Sequence, residues 1–483
     1  MRKSSSFFLL VVHVLGLLHA LLFTLYWLTN GLFSAQVNNF LFEKIGRQVD
    51  YVRLALVFSV FILLWSIVRL LSIKHKGQRP GWGAWLFTAA IVFFIVFFYG
   101  SFWVLFSQSP VQWIRLIRLA AYFRILLDMI FLTGLAGLFR KAGKKLSTVF
   151  SGQASKKIII GMIFLVFFIL LWSVPLMIPP VSVYRQPLPP RPLIIAHRGA
   201  SMLAPENTLA AAQRAEALGA DGLEVDIRIS LDGVPFLIHD SSLQRTTDVA
   251  RLFPERVDDR PEDFSLAELK QLSAGEWFYQ QDPYNAIANG LVSSIMVKEM
   301  RSERIPTLAE VLDFLKDNDQ VFIFDLLNPP PEHPYHDRFF DICFSLIHKA
   351  GFDSRVWFLV KGEERELVVS SAPQMILTYG ADYTNPPEAR ELAEKAYQII
   401  NVDFGLPIEW IRQYQQAGLK VNLYVVDEPW MFSRFWLAGA DSITTNNVHS
   451  MIALDRPAFS LPFSTYLFLW GLFGILGLGL TFS

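Results

Sequence analysis

The stretch Leu193-Ile194-Ile195-Ala196-His197-Arg198-Gly199 decides how the second half of the chain folds. Its apolar run predicts a buried strand, and the ionisable residues that follow mark the end of that strand. A helical pattern over 208–218 comes next, and the apolar run at 222–229 follows it. A strand, a helix and a second strand in this order predict a parallel pair joined by a right-handed crossover.

The same alternation continues towards the end of the chain. Further strand patterns lie at 235–239, 321–326, 356–360, 375–379, 398–402, 421–426 and 442–445, with helical patterns at 338–349, 408–416 and 429–437. About eight such units in ~250 residues predict an α/β fold, a (β/α)8 TIM barrel over 193–460, rather than an open sheet. The polar stretch 248–304 is too long for an ordinary loop, so we expect an insertion with a short helix at 266–272.

The first half of the chain has a different composition. Residues 1–180 hold 18 basic and 3 acidic side chains, whereas residues 181–483 hold 25 and 40. Five apolar stretches in this half and a sixth at the end of the chain are each near the ~20 residues that cross a bilayer. They predict a multi-span α-helical membrane domain. They are 7–29, 54–73, 84–106, 113–139, 158–178 and 463–482, with a Pro-rich, extended linker at 181–192.

Short loops indicate the orientation of these stretches, because basic residues accumulate on the cytoplasmic side. We expect both termini to be cytoplasmic and residues 179–461 to be outside, at the cell surface. The predicted inner side carries Arg2, Lys3, Lys74, Lys76, Arg79, Arg140, Lys141, Lys144, Lys145, Lys156 and Lys157. The predicted outer loops carry only Lys44, Arg47 and Arg53, and Ser107-Gln108-Ser109 has no charge.

The fourth apolar stretch contains charges, which are costly at membrane depth and usually face protein or water. One interpretation is an Arg124–Asp128 pair inside the helix bundle, with Arg115 and Arg118 reaching the outer headgroups. The other interpretation is a polar lining that holds a lipid headgroup.

Composition excludes several classes of protein. Cys343 is the only cysteine, so no intrachain disulfide forms, and its apolar neighbours predict a buried core position. The acidic second half argues against a nucleic-acid partner. The 13 Trp, 14 Tyr and 42 Phe exclude a disordered chain.

Ionisable side chains cluster where the predicted strands end, which is where barrels of this kind carry their chemistry. Glu224 and Asp226 are two residues apart and therefore share one face of a strand. Asp325, His197 and His239 end other strands. Two inward carboxylates repel unless a cation or a proton separates them, which favours a divalent metal over a salt-bridged strand end.

A set of short motifs follows the chain through the predicted barrel. The motifs are His197-Arg198-Gly199, Pro205-Glu206-Asn207-Thr208, Glu224-Val225-Asp226, Asp232-Gly233-Val234-Pro235, His239-Asp240, Arg245-Thr246-Thr247 and Thr444-Thr445-Asn446. Together they resemble the signature of the glycerophosphodiester phosphodiesterases. The overall layout is similar to the six-transmembrane branch of that family.

The resemblance implies residue roles and an activity. It implies one divalent metal ion, Mg²⁺ or Ca²⁺, held by Glu224, Asp226 and Asp325. Many relatives have Glu at the position of Asp325. It implies His197 and His239 as the acid/base pair and Arg198 on the substrate phosphate. The expected reaction is hydrolysis of glycerophosphodiesters, or of lipids that present a glycerol phosphodiester, to a phosphomonoester and an alcohol.

Several positions depart from that family pattern or allow two interpretations. Leu327 stands where the family commonly has a basic residue, so either a phosphate-side cation is missing or Arg301 or Arg304 replaces it. Tyr424 and Asp427 replace the Trp and Asn of many relatives, and Tyr424 either contacts substrate or packs in the core. The 206–208 segment is either a helix start capped by Asn207 or Thr208, or a direct part of the site.

Leu327 also favours an alternative function, a catalytically weak membrane receptor or adaptor that uses the barrel as a binding module. A third hypothesis is a lipid-handling membrane protein in which the arginines of the fourth stretch matter most. The expected partners of the enzyme are its substrate and membrane lipids.

Overall fold

The structure is a computed structural model that describes residues 2–31, 34, 37–38, 41–42, 46–47, 49–72, 82–108, 111–150 and 153–482. It divides into two compact units, Met1–Leu188 with Phe459–Ser483, and Pro189–Ala458. Several residues used for the orientation prediction lie outside the described part of the chain, namely Lys44, Lys74, Lys76, Arg79 and Ser109.

The first unit is built from long apolar helices. They are α1 (Arg2–Thr29), α2 (Tyr51–Ser72), α3 (Trp82–Gln108), α4 (Val111–Tyr122), α5 (Arg124–Val149), α6 (Ala154–Met177) and, at the end of the chain, α19 (Phe463–Phe482). Among the described residues, four helices are long and apolar enough to cross a membrane, or five if the bent pair α4–α5 is one span. Membrane association is therefore supported, but the predicted count of six spans is not confirmed.

The fourth apolar stretch is not the single helix that we predicted. It breaks at Phe123, and α4 and α5 meet at an angle of 68°. The predicted ion pair is present, with 3.2 Å between Arg124 Nε and Asp128 Oδ2. Arg115 and Arg118 are buried, only 6% and 7% exposed, which does not favour the interpretation in which they extend outwards to the headgroups.

The linker at 181–192 is not only an extended spacer. Its residues Val183–Tyr184 form strand β1, which pairs in parallel with Leu461–Pro462, strand β11. Ser182 also donates a hydrogen bond to the carbonyl oxygen of Tyr122, at 2.6 Å. The segments that enter and leave the helical unit are therefore joined to each other.

The second unit is the predicted TIM barrel. Eight parallel strands run in the closed order β2, β10, β9, β8, β7, β6, β5, β3 and back to β2, and β4 lies antiparallel on β3. The strands are β2 (Leu193–His197), β3 (Gly222–Ile229), β4 (Pro235–Leu237), β5 (Val321–Leu326), β6 (Val356–Leu359), β7 (Ile376–Ala381), β8 (Ile399–Asp403), β9 (Lys420–Tyr424) and β10 (Ser442–Thr445).

Helices surround the barrel, and short ones fill the insertion. The barrel helices are α7 (Leu209–Leu218), α12 (Leu308–Phe314), α13 (Phe339–Lys349), α14 (Gly362–Ser371), α15 (Ala389–Glu394), α16 (Ile408–Gln416), α17 (Pro429–Ala438) and α18 (Val448–Ile452). The insertion contains α8 (Val249–Leu252), α9 (Leu266–Leu269), α10 (Glu276–Gln281) and α11 (Ser294–Met300). Single 3₁₀ turns lie at Pro254–Arg256, Pro261–Asp263, Leu315–Asp317 and His336–Arg338.

The barrel interior divides into an apolar floor and a charged mouth. Ile195, Ile323, Trp357 and Ile399, from four different strands, pack together as a buried cluster. Along β3, the register pairs Asp226 with Asp325. Every second residue of a strand faces the barrel interior. The inward-facing residues that follow the apolar cluster therefore lie at the carboxyl end of the barrel, where their polar groups meet.

A tight turn after β2 places the first site residues. Gly199 has a φ of +81°, and a Cβ there would lie 2.5 Å from Ala211 Cβ and 2.6 Å from its carbonyl carbon. Only glycine allows this close approach of the turn to helix α7.

Candidate active site

A cavity of about 460 Å³ opens at the carboxyl end of the barrel. It contains all six predicted catalytic, phosphate-binding and metal-binding residues, together with Tyr424. Its lining consists of His197, Arg198, Glu224, Asp226, His239, Ile323, Asp325, Leu359, Lys361, Glu364, Gly380, Asn401, Tyr424, Val425 and Thr444.

Three carboxylates converge in this cavity. One oxygen from each of Glu224, Asp226 and Asp325 lies within 4.8 Å of the other two. Burial raises the pKa of Glu224 well above its usual range, and the charge of Asp226 raises it further. Burial and the Asp226 charge also raise the pKa of Asp325. A hard divalent cation takes carboxylate oxygens as ligands and would remove this repulsion, so the donor set fits such an ion.

Arg198 lies against these carboxylates. Its backbone N–H donates to Glu224 Oε2 at 2.9 Å, and its Nε lies 3.1 Å from Asp226 Oδ2. Its Nη1 donates to Glu206 Oε1 at 2.9 Å. The guanidinium is thus held in one orientation beside the candidate metal ligands.

The 206–208 segment combines both of its predicted interpretations. Thr208 caps helix α7, with its hydroxyl accepting from the N–H of Ala211. Asn207 instead belongs to the site: its Nδ2 donates to Asp226 Oδ2 at 2.8 Å, and its Oδ1 accepts from the Asp226 N–H at 3.1 Å. Asn207 therefore fixes the orientation of one candidate metal ligand.

A polar chain behind His197 was not predicted. Its Nδ1 lies 2.7 Å from Asn446 Oδ1. The Nδ2 of Asn446 donates to Asp427 Oδ2 at 2.8 Å, which leaves the Asn446 oxygen to face the histidine. Burial, and then the charge of Arg198, lower the pKa of His197. The neutral ring therefore carries its proton on Nδ1 and a lone pair on Nε2.

His239 has a different setting. Its Nδ1 lies 2.8 Å from Asp240 Oδ1, and the Asp240 carboxylate accepts two hydrogen bonds from Arg245, at 2.6 and 3.0 Å. Although burial opposes the shift, the hydrogen bonds from His239 and Arg245 hold the pKa of Asp240 well below its usual range. Arg245 also donates to both oxygens of Glu206, the acid that binds Arg198.

The insertion supports this side of the site. Arg228 donates from Nη2 to the carbonyl oxygen of His239 at 2.7 Å. Its Nη1 pairs with Glu262 of the insertion at 2.5 Å, and the Glu262 side chain is fully buried. Trp277 of helix α10 lies under the Arg245 guanidinium, 5.7 Å from ring centroid to Cζ.

The arginines considered as substitutes for the basic residue that Leu327 replaces are not at the site. Arg301 makes two hydrogen bonds to Glu276, and Arg304 donates to the carbonyl oxygen of Gln271. Neither residue lines the cavity, so the alternative in which one of them replaces the missing cation has no support in the structure. Leu327 does not line it either; its N–H bonds to the carbonyl oxygen of Ile227.

Lys361 is the cation that sequence reasoning missed. It follows β6 and lines the cavity, with its Nζ 4.6 Å from the centroid of the Tyr379 ring. Tyr424 lines the same cavity, and its hydroxyl lies 3.4 Å from the carbonyl oxygen of Ala381. The one signal for Lys361 in the sequence is a basic residue directly after a predicted strand.

The fold and the cavity together define a (β/α)8 barrel with an acidic, histidine-containing centre at its mouth. Residues 197–450 match the Glycerophosphoryl diester phosphodiesterase family, and the chain belongs to that family.

Several relatives show how far the likeness extends. The chain is 38% identical over 283 residues to Glycerophosphoinositol inositolphosphodiesterase GDPD2 of Mus musculus, covering 59% of this chain and 51% of that protein. It is 30% identical to a Glycerophosphodiester phosphodiesterase of Caldanaerobacter subterraneus subsp. tengcongensis, covering 55% of this chain and 98% of that protein. The chain thus spans about half the length of the first of these curated relatives.

Among solved structures, the chain resembles a glycerophosphodiester phosphodiesterase from Agrobacterium tumefaciens. The match is 24% identical with a TM-score of 0.42, and it covers 55% of this chain and 100% of that chain.

Proposed function

We propose that this protein is a metal-dependent phosphodiesterase that cleaves glycerophosphodiesters, or lipids that present a glycerol phosphodiester, at the outer membrane face. The products are a phosphomonoester and an alcohol. The observation that carries this proposal is the convergence of three carboxylates, two histidines and Arg198 on one cavity.

Glu224, Asp226 and Asp325 would hold one divalent ion, Mg²⁺ or Ca²⁺. When bound, such an ion offsets negative charge on the phosphate oxygens. Asn207 keeps Asp226 in position, and the Arg198 N–H keeps Glu224 in position. The buried carboxylates are thus orientated before any ligand arrives.

Arg198 would bind a phosphate oxygen of the substrate. A guanidinium presents its N–H groups in a planar fork that matches phosphate, and charge-assisted hydrogen bonds of this kind are the strong ones. Its existing partners Glu206 and Asp226 hold the side chain at the cavity wall. Little rotational freedom then remains to be lost when substrate binds.

The two histidines would move the protons. His197 Nε2 takes the proton of a glycerol hydroxyl, whose oxygen then bonds to phosphorus. The bond from phosphorus to the alcohol oxygen breaks, and protonated His239 gives its proton to that oxygen. Water then opens the resulting cyclic phosphate, with the two histidines exchanging roles. Asp240 holds the His239 ring through its Nδ1, and Asn446 supports the required tautomer of His197.

The far side of the cavity would receive the rest of the substrate. Lys361 places a positive charge there, and Tyr424 offers a ring face and a hydroxyl. The name of the mouse relative makes glycerophosphoinositol the first substrate to try. The Leu327 position favoured the receptor or adaptor alternative; because it lies off the cavity, that alternative loses its specific support.

The proposed location is an integral membrane protein with six spans, both termini inside and the barrel at 193–460 outside. The unequal distribution of basic residues between the short loops supports it. A membrane-impermeant protease added to intact cells should then remove epitopes between residues 181 and 461. Protection of those epitopes until the membrane is opened would reverse the topology.

A substrate panel tests the activity. Purified full-length protein should hydrolyse glycerophosphoinositol or glycerophosphocholine, with lysophospholipid as the lipid member of the panel. EDTA should stop the reaction, and added Mg²⁺ or Ca²⁺ should restore it. Turnover that is unaffected by EDTA would contradict the metal assignment, and binding without turnover would favour the binding module.

A further inference from the structure

The helical unit contains a second cavity, of about 240 Å³, where helices α5, α6 and α19 meet. It lies near the carboxyl end of α5 and the amino end of α6. Its basic side chains are Arg140, Lys144 and Lys157, and its apolar walls include Phe139, Ile160 and Phe164. The rings of Phe139 and Phe164 stack at 5.5 Å between centroids.

The charge in this cavity has no internal counterpart on the three helices. After Asp128, none of α5, α6 and α19 carries an acidic residue. Asp128 lies twelve residues before Arg140, roughly 18 Å along the helix, and pairs with Arg124. Lys144 and Lys157 are exposed, so an anion that binds beside the three basic side chains would come from outside these helices.

Arg140 shows where that anion would bind. Its Nε is buried, and no acceptor for that N–H exists within the part of the chain that the structure describes. A buried donor without an acceptor is costly, so such groups normally have a partner. An oxygen of a phosphate group inside the cavity would satisfy the Arg140 N–H and approach both lysines.

The surroundings favour a lipid over a free anion. Ile159 and Ile163 of α6, close in sequence to the cavity residue Ile160, are 51% and 59% exposed. Acyl chains could lie along this apolar surface while the headgroup enters the basic cavity. Basic pockets between membrane helices at the cytoplasmic side are suited to anionic lipid headgroups.

We propose that the cavity of Arg140, Lys144 and Lys157 binds the phosphate group of an anionic phospholipid. This site is separate from the barrel cavity, and the proposal stands whether or not the barrel hydrolyses glycerophosphodiesters. The ligand class is a phospholipid with net negative charge at the phosphate, in the leaflet that contacts the end of α5.

The test is lipid binding by the full-length protein in detergent, measured by native mass spectrometry and by thermal stabilisation. Phosphatidic acid is the probe, because it is a phosphomonoester and therefore not a diester substrate for the barrel. Phosphatidylcholine, diacylglycerol and inorganic phosphate form the other arms. EDTA is present throughout.

Two triple variants carry the same loss of charge on the same two helices. The cavity variant is Arg140→Gln, Lys144→Gln and Lys157→Gln; the matched control is Lys141→Gln, Lys145→Gln and Lys156→Gln. We expect the cavity variant to bind phosphatidic acid at least ~10-fold more weakly, and the control to bind it like wild type. If the cavity variant fails to fold, Arg140→Gln compared with Lys141→Gln gives the same contrast.

Other outcomes would overturn the proposal. Equal losses in both variants would show only diffuse attraction to the basic surface. Unchanged binding by the cavity variant would exclude the site. Full stabilisation by inorganic phosphate alone would assign the cavity to a free anion, and full stabilisation by diacylglycerol would show that the phosphate contributes nothing.

Discussion

Asn446 Oδ1 lies 2.7 Å from His197 Nδ1, and the opposite end of the same amide donates to Asp427. A carboxylate oxygen accepts hydrogen bonds, so Asp427 holds the NH2 end of the Asn446 amide and leaves its oxygen facing the histidine. The amide oxygen in turn requires a proton on His197 Nδ1. Asp427, which lies 19 residues before Asn446 in the chain, thus leaves Nε2 of His197 available to accept a proton.

Asn446→Ala should therefore lower kcat by ~10²-fold, the usual contribution of one positioned general base, with little change in KM. Ser201→Ala is the control, because it removes another hydrogen bond to the same Asn446 oxygen but leaves the histidine contact. Steady-state kinetics on glycerophosphoinositol measures both constants. A wild-type kcat in Asn446→Ala would show that His197 needs no such support.

The carboxylate cluster should control metal affinity. Glu224→Gln and Asp325→Asn should each abolish EDTA-sensitive turnover and weaken binding of Mg²⁺ or Ca²⁺, measured by isothermal titration calorimetry. Each change removes one anionic ligand of the proposed ion. Asp341→Asn, at an exposed position on α13, is the control. Near wild-type turnover at low metal concentration in either variant would refute that ligand.

We expect Lys361, and not a residue at position 327, to supply the second cation of the site beside Arg198. Lys361→Gln should remove a charge-assisted hydrogen bond to the substrate, which is worth ~1.5 to 3 kcal/mol. We therefore expect kcat/KM to fall roughly 10- to 150-fold. Leu327→Arg should leave kcat/KM level, because that position lies off the cavity. Exposed Lys349, changed to Gln, is the control. A gain of activity in Leu327→Arg would instead show that the site lacks a cation.

Glu262 should matter for stability and for the position of His239. Glu262→Gln leaves the buried Arg228 charge without its partner, which costs ~3 to 5 kcal/mol in typical buried pairs. Asp259→Asn breaks a partly exposed pair with Arg256 in the same insertion and should cost under ~1 kcal/mol. Thermal unfolding followed by tryptophan fluorescence compares them. Equal melting temperatures in the two variants would contradict this role of Glu262.

Local patterns were enough to predict the barrel and the residues at its strand ends. Glu224 and Asp226 share a face because they are two apart on a strand, and the register adds Asp325 beside them. The boundaries of β3, β5 and β10 match their predicted ranges, since short apolar runs bounded by polar residues indicate parallel strands clearly.

Contacts between distant segments could not be predicted in the same way. The Asn446–His197 pair joins residues 249 positions apart, and the sequence contains no periodic signal for it. Glu206 lies in a segment that also starts a helix, and the helix start alone accounts for the sequence pattern there. The pairing of Glu206 with Arg198 and Arg245 was therefore not predicted. The break at Phe123 is equally unmarked, because neither proline nor glycine stands there.

The most direct test of the account is a ³¹P NMR time course of glycerophosphoinositol with the full-length protein and Mg²⁺ or Ca²⁺. The account predicts that the phosphodiester resonance is replaced by a phosphomonoester resonance, that EDTA stops the change, and that Glu224→Gln shows none. An unchanged phosphodiester resonance with metal-replete, folded wild-type protein, repeated with glycerophosphocholine and lysophospholipid, would contradict the proposed activity.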